Sequence, residues 1–194
     1  LEEKVTLFYQ TKEGGIVIIN ADDPYLPKRY WNTRQKISKF GIDKPSDLRL
    51  VVEKDLGWEG FDIVLQFREE KISARTSLLG KHNLYNILSA TSIAYCAGVD
   101  KEHIKEAVEA FAPYDERFRP VKSQKGYVII DDTYNANPSS MEWAIKTMLG
   151  LPTDGKRIAV LGDMQELGDK TAFYHKKLGQ FLNESKIDKI FLIG

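Results

Sequence analysis

The stretch "IIDDTYNANPSSM", residues 129–141, decides the fold of this chain. Two β-branched residues lead into paired acids and then a proline, a pattern that predicts a buried strand ending where a helix begins. Asn137 before Pro138 predicts an N-cap followed by proline at the first helical position. The apolar residues that follow recur at helical spacing as far as Gly150: Met141, Ala144, Ile145, Met148 and Leu149.

The same alternation of strand and helix continues towards Gly194. "RIAVLGD" (157–163) and "KIFLIG" (189–194) read as strands, and the helix between them has an apolar face made of Tyr174, Leu178, Phe181 and Leu182. The order β-α-β-α-β with short connections predicts an α/β fold, a Rossmann-like parallel sheet with right-handed crossovers. Ligands bind beyond the carboxyl ends of such strands. The segments "DDTYNANP" and "GDMQELG" are therefore expected along one edge of the sheet.

The first half of the chain has a different pattern. "IVIIN" (16–20) predicts a buried strand, and four β-rich segments follow it at 36–42, 48–54, 61–67 and 71–77, expected to be partly antiparallel. Gly14 and Gly15 are expected to end a short helix. Two further helices are predicted from apolar faces, one with Leu84, Leu88, Thr91 and Tyr95 and one with Ile104, Ala107, Val108 and Phe111.

Two prolines, Pro113 and Pro120, bracket "YDERFR" and predict a hinge there. We therefore expect two domains, residues 1–113 and 114–194. Three parallel strands with a bare end make an incomplete sheet, so the C-terminal domain is expected to be partial.

Composition excludes several classes of partner. Lys plus Arg and Asp plus Glu both total 28, which favours neither nucleic acid nor an anionic membrane surface. No apolar run approaches the roughly 20 residues that span a bilayer. The single cysteine, Cys96, fits a reducing cytoplasm. No His or Cys cluster has metal-ligand spacing, so no metal site is predicted within these residues.

Asn83 and Asn86, in "GKHNLYN" (80–86), fall three residues apart in the first turn of a predicted helix. An amide offers both a donor and an acceptor and can read the edge of a purine. The alternative is that Asn83 is an N-cap and Asn86 a surface residue. His82 fits a hydrogen-bonded loop histidine better than a metal ligand.

Two arginines on the hinge, Arg117 and Arg119, could reach a phosphate or a ribose. They could equally pair with the acids of their own segment. In "DDTYNANP", an acid at the end of a parallel strand suits hydrogen bonding to ribose hydroxyls, and Asn135 and Asn137 suit phosphate oxygens or a substrate peptide.

A turn rich in Asp and Asn that only caps the next helix is the competing interpretation of "DDTYNANP". One cap, however, needs only one side chain. In "GDMQELG", Asp163 and Glu166 could shape a substrate loop or belong to an ordinary strand-to-helix connection. His175, within the following helix, is expected to be structural.

Four motifs taken in order resemble the Mur ligases of peptidoglycan synthesis: "INADDP" (19–24), "GKHNLYN", "IIDDTYNANPSSM" and "VLGDMQELG" (160–168). The last two resemble the branch that adds D-alanyl-D-alanine to UDP-N-acetylmuramoyl-tripeptide. The resemblance extends from about Asn20 to Gly194 and depends on four motifs in the right order and spacing.

The resemblance implies an ATP-dependent ligase that activates a carboxylate as an acyl phosphate, with Mg²⁺ balancing phosphate charge. It implies a monomer with the two small-molecule substrates named above. By motif, His82, Asn83 and Asn86 would contact the adenine, and Arg119 and Asp132 the ribose or phosphates. Asn135 would line the nucleotide cleft, together with Tyr134, Asn137, Asp163 and Glu166 as cleft or substrate residues.

The chain departs from the family because no Gly-x-x-Gly-Lys-Thr phosphate loop occurs among its 194 residues. The Glu and His that bind Mg²⁺ in the family are not found among them either. The expectation is therefore half of a central ATPase domain joined to half of a C-terminal domain, inactive by itself. The alternatives are another Mur-type or a folylpolyglutamate-type ligase, or a non-catalytic nucleotide-binding module.

Overall fold

The computed structural model describes residues 2–28, 35–68 and 70–194. The chain divides into two compact units. The first unit comprises Leu1–Leu56, Gly60–Ser77 and His82–Phe111. The second unit comprises Gly57–Glu59, Leu78–Lys81 and Ala112–Gly194.

A five-stranded mixed sheet forms the first unit, with its strands in chain order. They are β1 (Ile16–Asn20), β2 (Lys36–Gly41), β3 (Leu48–Asp55), β4 (Phe61–Phe67) and β5 (Glu70–Thr76). The β1–β2 and β2–β3 pairs are parallel, and the β3–β4 and β4–β5 pairs are antiparallel. The predicted strands and their partly antiparallel arrangement are confirmed.

Three helices accompany this sheet: α1 (Glu2–Tyr9), α2 (Lys81–Cys96) and α3 (Lys101–Ala110). The first ends at Tyr9, so the prediction that Gly14 and Gly15 end it was wrong. Gly14 instead takes a φ of 78° in the turn before β1. In α2, Leu84, Leu88 and Thr91 are buried as predicted.

Three residues assigned to the buried helix faces are exposed instead. Tyr95 is 42% exposed and stacks on Phe67, with ring centroids 4.3 Å apart. In α3, Ile104 and Val108 are buried. Ala107 is exposed, and Phe111 lies beyond the last helical residue. The apolar faces of both helices are therefore narrower than the sequence pattern suggested.

The core of the first unit lies on the sheet and under α2. Its fully buried side chains are Val5, Ile19, Leu50, Ile63, Leu65, Thr76 and Leu88. Alternate residues of β5 are buried, as expected for a strand with one face on the core.

The second unit contains the predicted β-α-β-α-β order. Its elements are β6 (Arg119–Lys122), β7 (Val128–Asp131), α4 (Pro138–Gly150), β8 (Ile158–Gly162), α5 (Thr171–Glu184) and β9 (Lys189–Ile193). The α/β class is confirmed, and β8 and β9 pair in parallel. Of the α5 face predicted from the sequence, Leu182 is buried and the other three residues are half-buried.

The pairing of β7 differs from the expected single parallel sheet. Among the described strands, β7 bonds antiparallel to β6, while β8 and β9 form a separate pair. The reason is local: Ser123 N–H donates to Tyr127 O over 2.8 Å, and Gly126 N–H donates to Ser123 O over 3.1 Å, closing a hairpin. The last residues of the predicted hinge, Arg119 and Pro120, therefore belong to the strand β6.

A small apolar cluster fixes the segment that precedes β6. Leu79, Phe118 and Leu151 are buried together, with Trp58, Ile130 and Ala144 packed against them. The Trp58 indole N–H also donates to Pro152 O over 2.8 Å. Residues 57–59 and 78–81 thus contribute side chains to the core of the second unit. None of the helices in the described part of the chain combines the length and the apolar character that crossing a bilayer requires.

Candidate functional site

The candidate adenine-binding residues lie in the first turns of α2. Gly80, with a φ of 84°, precedes the helix. His82 and Asn83 are half-buried and Asn86 is exposed. The Asn86 side-chain N–H donates to Asn83 Oδ1 over 3.1 Å, so the two amides orient each other. This bond uses one of the two side-chain N–H donors of Asn86 and links the two amides into one polar group.

The second unit contains a cleft of about 560 Å³. Polar residues after β7 and β8 line one part of it: Asp132, Thr133, Tyr134, Asn135, Asp163 and Gln165. Apolar residues of α4 and β8 line the rest, among them Met141, Ile145, Met148, Ile158 and Val160. The two polar motifs therefore share one cleft at the carboxyl ends of their strands, where α/β sheets bind ligands.

Asp132 has a structural contact in addition to its place in the cleft. Its Oδ1 accepts a hydrogen bond from Phe118 N–H over 3.1 Å. The preceding acid, Asp131, accepts from Thr133 N–H and Oγ1–H, at 3.3 and 2.7 Å. Both carboxylates therefore accept hydrogen bonds from nearby backbone N–H groups, which agrees in part with the interpretation of this segment as a turn rich in Asp and Asn. A ribose contact by Asp132 stays a prediction.

The segment before β6 directs one arginine to a cleft residue. The Arg117 Cζ lies 3.6 Å from the centroid of the Tyr134 ring, a stacked cation–π arrangement. Tyr134 N–H donates to Glu116 O over 3.2 Å, which ties this segment to the residues after β7. Arg119, in contrast, forms an ion pair with Asp115. The structure thus brings Arg117 beside the cleft residues.

Backbone conformation explains why the sequence did not separate the two arginines. Glu116 and Phe118 both have positive φ, 60° and 49°. Such values are rare outside glycine and asparagine, so no residue-type rule predicts them here. These two residues flank Arg117, and the sequence analysis named Arg117 and Tyr134 separately without predicting their contact.

Asn137 has the capping role that its sequence predicts. Its Oδ1 accepts from Ser139 N–H and Ser140 N–H, at 3.1 and 3.0 Å. Ser140 Oγ accepts from Asn137 N–H over 3.0 Å, which completes a capping box. Among the described residues that line the cleft, Asn135 and Ala136 are present and Asn137 is not. The amide of Asn137 is directed to the helix because the first-turn N–H groups need acceptors.

Replacing Asn137 by alanine is expected to lower the free energy of unfolding by about 1 kcal/mol, because two first-turn N–H groups lose their acceptor. Urea denaturation measures this loss. Asn135→Ala is the matched control, since Asn135 is exposed and two residues away, and it should change stability by less than about 0.5 kcal/mol. Equal losses in the two variants would contradict the capping role.

His175 anchors the loop after β8. Its Nε2 accepts from Met164 N–H over 3.2 Å. Its Nδ1 lies 2.9 Å from Thr171 O. These two contacts are satisfied together when the neutral ring carries its proton on Nδ1. The Asp163 Oδ1 lies 3.7 Å from Nε2. A structural role for His175 agrees with the expectation from sequence.

Glu166 turns the same loop. It has a φ of 60°, which makes it one of the non-glycine residues in the left-handed region. Within the described residues that line the cleft, Gln165 and Asp163 represent this loop and Glu166 does not. Glu166 therefore occupies the left-handed turn of this loop and does not line the cleft. Gln165 lines the cleft, although the sequence analysis did not name it.

We next consider metal ligands in the described ranges 2–28, 35–68 and 70–194. No group of three or more His, Cys, Asp or Glu side chains there could hold a metal ion.

Comparisons with known proteins match both parts of the chain to one family. Residues 1–94 match the Mur ligase middle domain, and residues 116–194 match the Mur ligase glutamate ligase domain. The chain is 31% identical over its whole length to the UDP-N-acetylmuramoyl-tripeptide–D-alanyl-D-alanine ligase of Bacillus subtilis, of which it covers 41%. It is 33% identical to the ligase of the same name from Buchnera aphidicola (strain Bp), again over its whole length and covering 42% of that protein.

A solved structure agrees with these sequence matches. The MurF ligase of Thermotoga maritima in complex with ADP aligns with a TM-score of 0.82 and 25% identity, over 99% of this chain and 43% of that one. The chain thus spans about two fifths of the length of the relatives it matches. Two models of one family match most of its length, and on that basis the chain belongs to the Mur ligases.

Proposed function

We propose that the gene product containing this chain is an ATP-dependent ligase that joins D-alanyl-D-alanine to UDP-N-acetylmuramoyl-tripeptide. The observation that carries the proposal is that the two motifs resembling this branch, after β7 and β8, line one cleft. Relatives named for this reaction match the whole chain at 31% and 33% identity, which supports the same assignment. A cytoplasmic monomer is part of the proposal.

The nucleotide-binding residues are proposed in two groups, one in each unit. In the first unit, Asn83 and Asn86 read the adenine edge, with His82 beside them. In the second unit, Asn135 and Asp132 face the ribose and phosphates from the cleft. Arg117 joins Arg119 as a candidate for the phosphate contact, because its guanidinium already lies on a cleft residue. The domains are proposed as residues 1–113 and 114–194.

ATP is the co-substrate that supplies the phosphoryl group, and the ADP complex of a structural relative supports its use. This chain's own residues bind and orient the nucleotide through amides, a guanidinium and carboxylates, all of which suit it. Mg²⁺ is proposed for the reaction as well. The described residues provide no metal-binding group of their own, so no step is assigned to a metal contact within them.

Phosphate release by the intact gene product tests the proposal. We expect release only when ATP, UDP-N-acetylmuramoyl-tripeptide and D-alanyl-D-alanine are all present, because the amine must capture the activated carboxylate. A single L-amino acid or glutamate in place of D-alanyl-D-alanine is expected to give little release. The discrimination follows from binding a dipeptide, whose second residue contributes contacts that a single amino acid lacks.

The outcomes separate the competing functions. Release with another amino donor would assign the protein to a different Mur-type or a folylpolyglutamate-type ligase. ATP binding without turnover on any donor would favour a nucleotide-binding module. Asn83→Ala and Asn86→Ala are expected to raise the Kd for ATP, each by about tenfold, the effect of about one neutral hydrogen bond. Unchanged affinity in both variants would remove the adenine assignment.

A further inference from the structure

The side chain of Asp22, two residues beyond β1, receives an unusual number of hydrogen bonds. Its Oδ2 accepts from Ile42 N–H at 2.6 Å, from Asp43 N–H at 3.2 Å and from the Tyr85 hydroxyl at 2.9 Å. Its Oδ1 accepts from Lys44 N–H at 2.8 Å. One carboxylate therefore joins three segments of the first unit: the end of β1, the loop after β2 and the helix α2.

The surrounding backbone is arranged to bring this carboxylate close. Parallel pairing sets Asn20 opposite Phe40, and Ala21 N–H donates to Phe40 O over 2.7 Å. Asn20 Oδ1 accepts from Asp22 N–H over 2.9 Å, which turns the chain after β1. A Cβ at Gly41 would lie 3.0 Å from Asp22 Oδ2. The glycine thus leaves room for the carboxylate beneath the loop.

Charge reinforces the arrangement. Partial burial disfavours the charged form of Asp22, but hydrogen bonds from Ile42 and Asp43 N–H and from Tyr85 outweigh it and lower the pKa of the carboxyl. The pKa of the Tyr85 hydroxyl is raised, first by burial and then by its bond to Asp22. At neutral pH the carboxylate is charged and the phenol is a donor, so the contact is a charge-assisted hydrogen bond.

Tyr85 connects this carboxylate to the helix that carries the asparagines. It follows Asn83 by two residues and precedes Asn86 by one. At 3.6 residues per turn its side chain leaves the helix in a different direction from either amide. The bond from the Tyr85 hydroxyl to Asp22 therefore adds to the buried face of α2 in setting the rotation of the helix about its axis, and with it the direction of the mutually bonded amides.

We propose that Asp22 is a positioning residue for nucleotide binding: through Tyr85 it holds the first turns of α2 so that Asn83 and Asn86 meet the base. The proposal rests on the proposed function, since it takes the two amides to be the adenine contacts. The bonds from backbone N–H groups to Asp22 hold the loop after β2 with or without Tyr85. The bond from the Tyr85 hydroxyl is the one that connects Asp22 to α2.

Tyr85→Phe tests this in the intact gene product, because it removes one hydroxyl and leaves the backbone bonds of Asp22 in place. The control is Tyr95→Phe, the same change on the same helix, where the ring stacks on Phe67. ATP, GTP and inorganic tripolyphosphate are titrated against each protein. For Tyr85→Phe we expect the Kd for ATP to rise about three- to tenfold, the preference for ATP over GTP to fall by a similar factor, and tripolyphosphate binding to stay unchanged.

A second arm isolates Asp22. In an Asp22→Ala background, Tyr85→Phe should add little further loss of ATP affinity, because the acceptor of its hydroxyl has already been removed. Full additivity of the two changes would overturn the proposal. So would equal effects of Tyr85→Phe and Tyr95→Phe, or an equal loss for ATP and tripolyphosphate, since a general loosening of the fold does not distinguish a base from a phosphate chain.

The proposed function fails separately. If the wild-type protein binds neither ATP nor GTP, the function falls and this inference falls with it. If the wild type binds ATP in preference to GTP and Tyr85→Phe retains that preference, only the inference is overturned.

Discussion

Phe118→Ala is expected to lower the free energy of unfolding of the second unit by about 3–5 kcal/mol, the cost of removing a buried aromatic ring. Phe118 is 4% exposed and packs with Leu79 and Leu151. The ring therefore joins the segment before β6 to α4 and to residues 78–81. Its removal leaves a cavity whose walls belong to three separate stretches of chain and have little freedom to close together.

Urea denaturation and hydrogen exchange measure this effect. The exchange of amides in β6 and β7 should accelerate in Phe118→Ala, because the cluster lies directly beneath the segment that leads into β6. Phe173→Ala is the control: its ring is 63% exposed, so the loss should stay below about 0.5 kcal/mol. A loss below about 1 kcal/mol for Phe118→Ala would mean that the cluster does not hold this segment.

The same variant has a functional consequence. Phe118 N–H is the donor to Asp132, and its φ of 49° costs energy that the buried ring helps to offset. Without the ring, the backbone at residue 118 can relax to a commoner conformation, and the cleft loses the contact that orients Asp132. We therefore expect weaker nucleotide binding as well as lower stability.

Local patterns predicted the elements of this chain well. The strand "IVIIN" matches β1 residue for residue, and the Asn137 cap forms as its spacing indicates. The cap depends on contacts within three residues, and the strand is marked by a short run of apolar residues. The motifs after β7 and β8 line one cleft, as the sequence indicated, although these strands belong to two separate pairs and not to the single parallel sheet that was expected.

Contacts between distant segments were not predictable in this way. Pro120 suggested a break, yet it lies in β6, because an edge strand tolerates a residue that donates no hydrogen bond. The Asp22–Tyr85 bond joins residues 63 apart, and periodicity carries no information about such a pair. Positive φ at Glu116 was equally hidden, and with it the orientation of the neighbouring arginine.

Arg117→Ala is expected to reduce kcat/KM for ATP in the intact gene product by about 10²–10³-fold, the effect of removing one preorganised donor from developing charge. Arg119→Ala, two residues away, tests the competing assignment and should cost less than about threefold if Arg117 makes the phosphate contact. Arg119 is already paired with Asp115, whereas the guanidinium of Arg117 lies 3.6 Å above the ring of Tyr134. Stacking leaves the edge of a guanidinium available for phosphate oxygens, since its N–H donors lie in the plane of the group.

Two further variants show whether the stack is what matters. Arg117→Lys keeps the charge but loses the planar fork, so it should recover only a small part of the lost rate. Tyr134→Leu removes the ring beneath Arg117 and should lower kcat/KM for ATP by a smaller factor, because the guanidinium remains but is no longer held. If Arg119→Ala proves the more damaging change, then the Asp115 pair must open when nucleotide binds. In that case the position of Arg117 on Tyr134 is a packing contact, and the phosphate contact belongs to Arg119 as the motif first indicated.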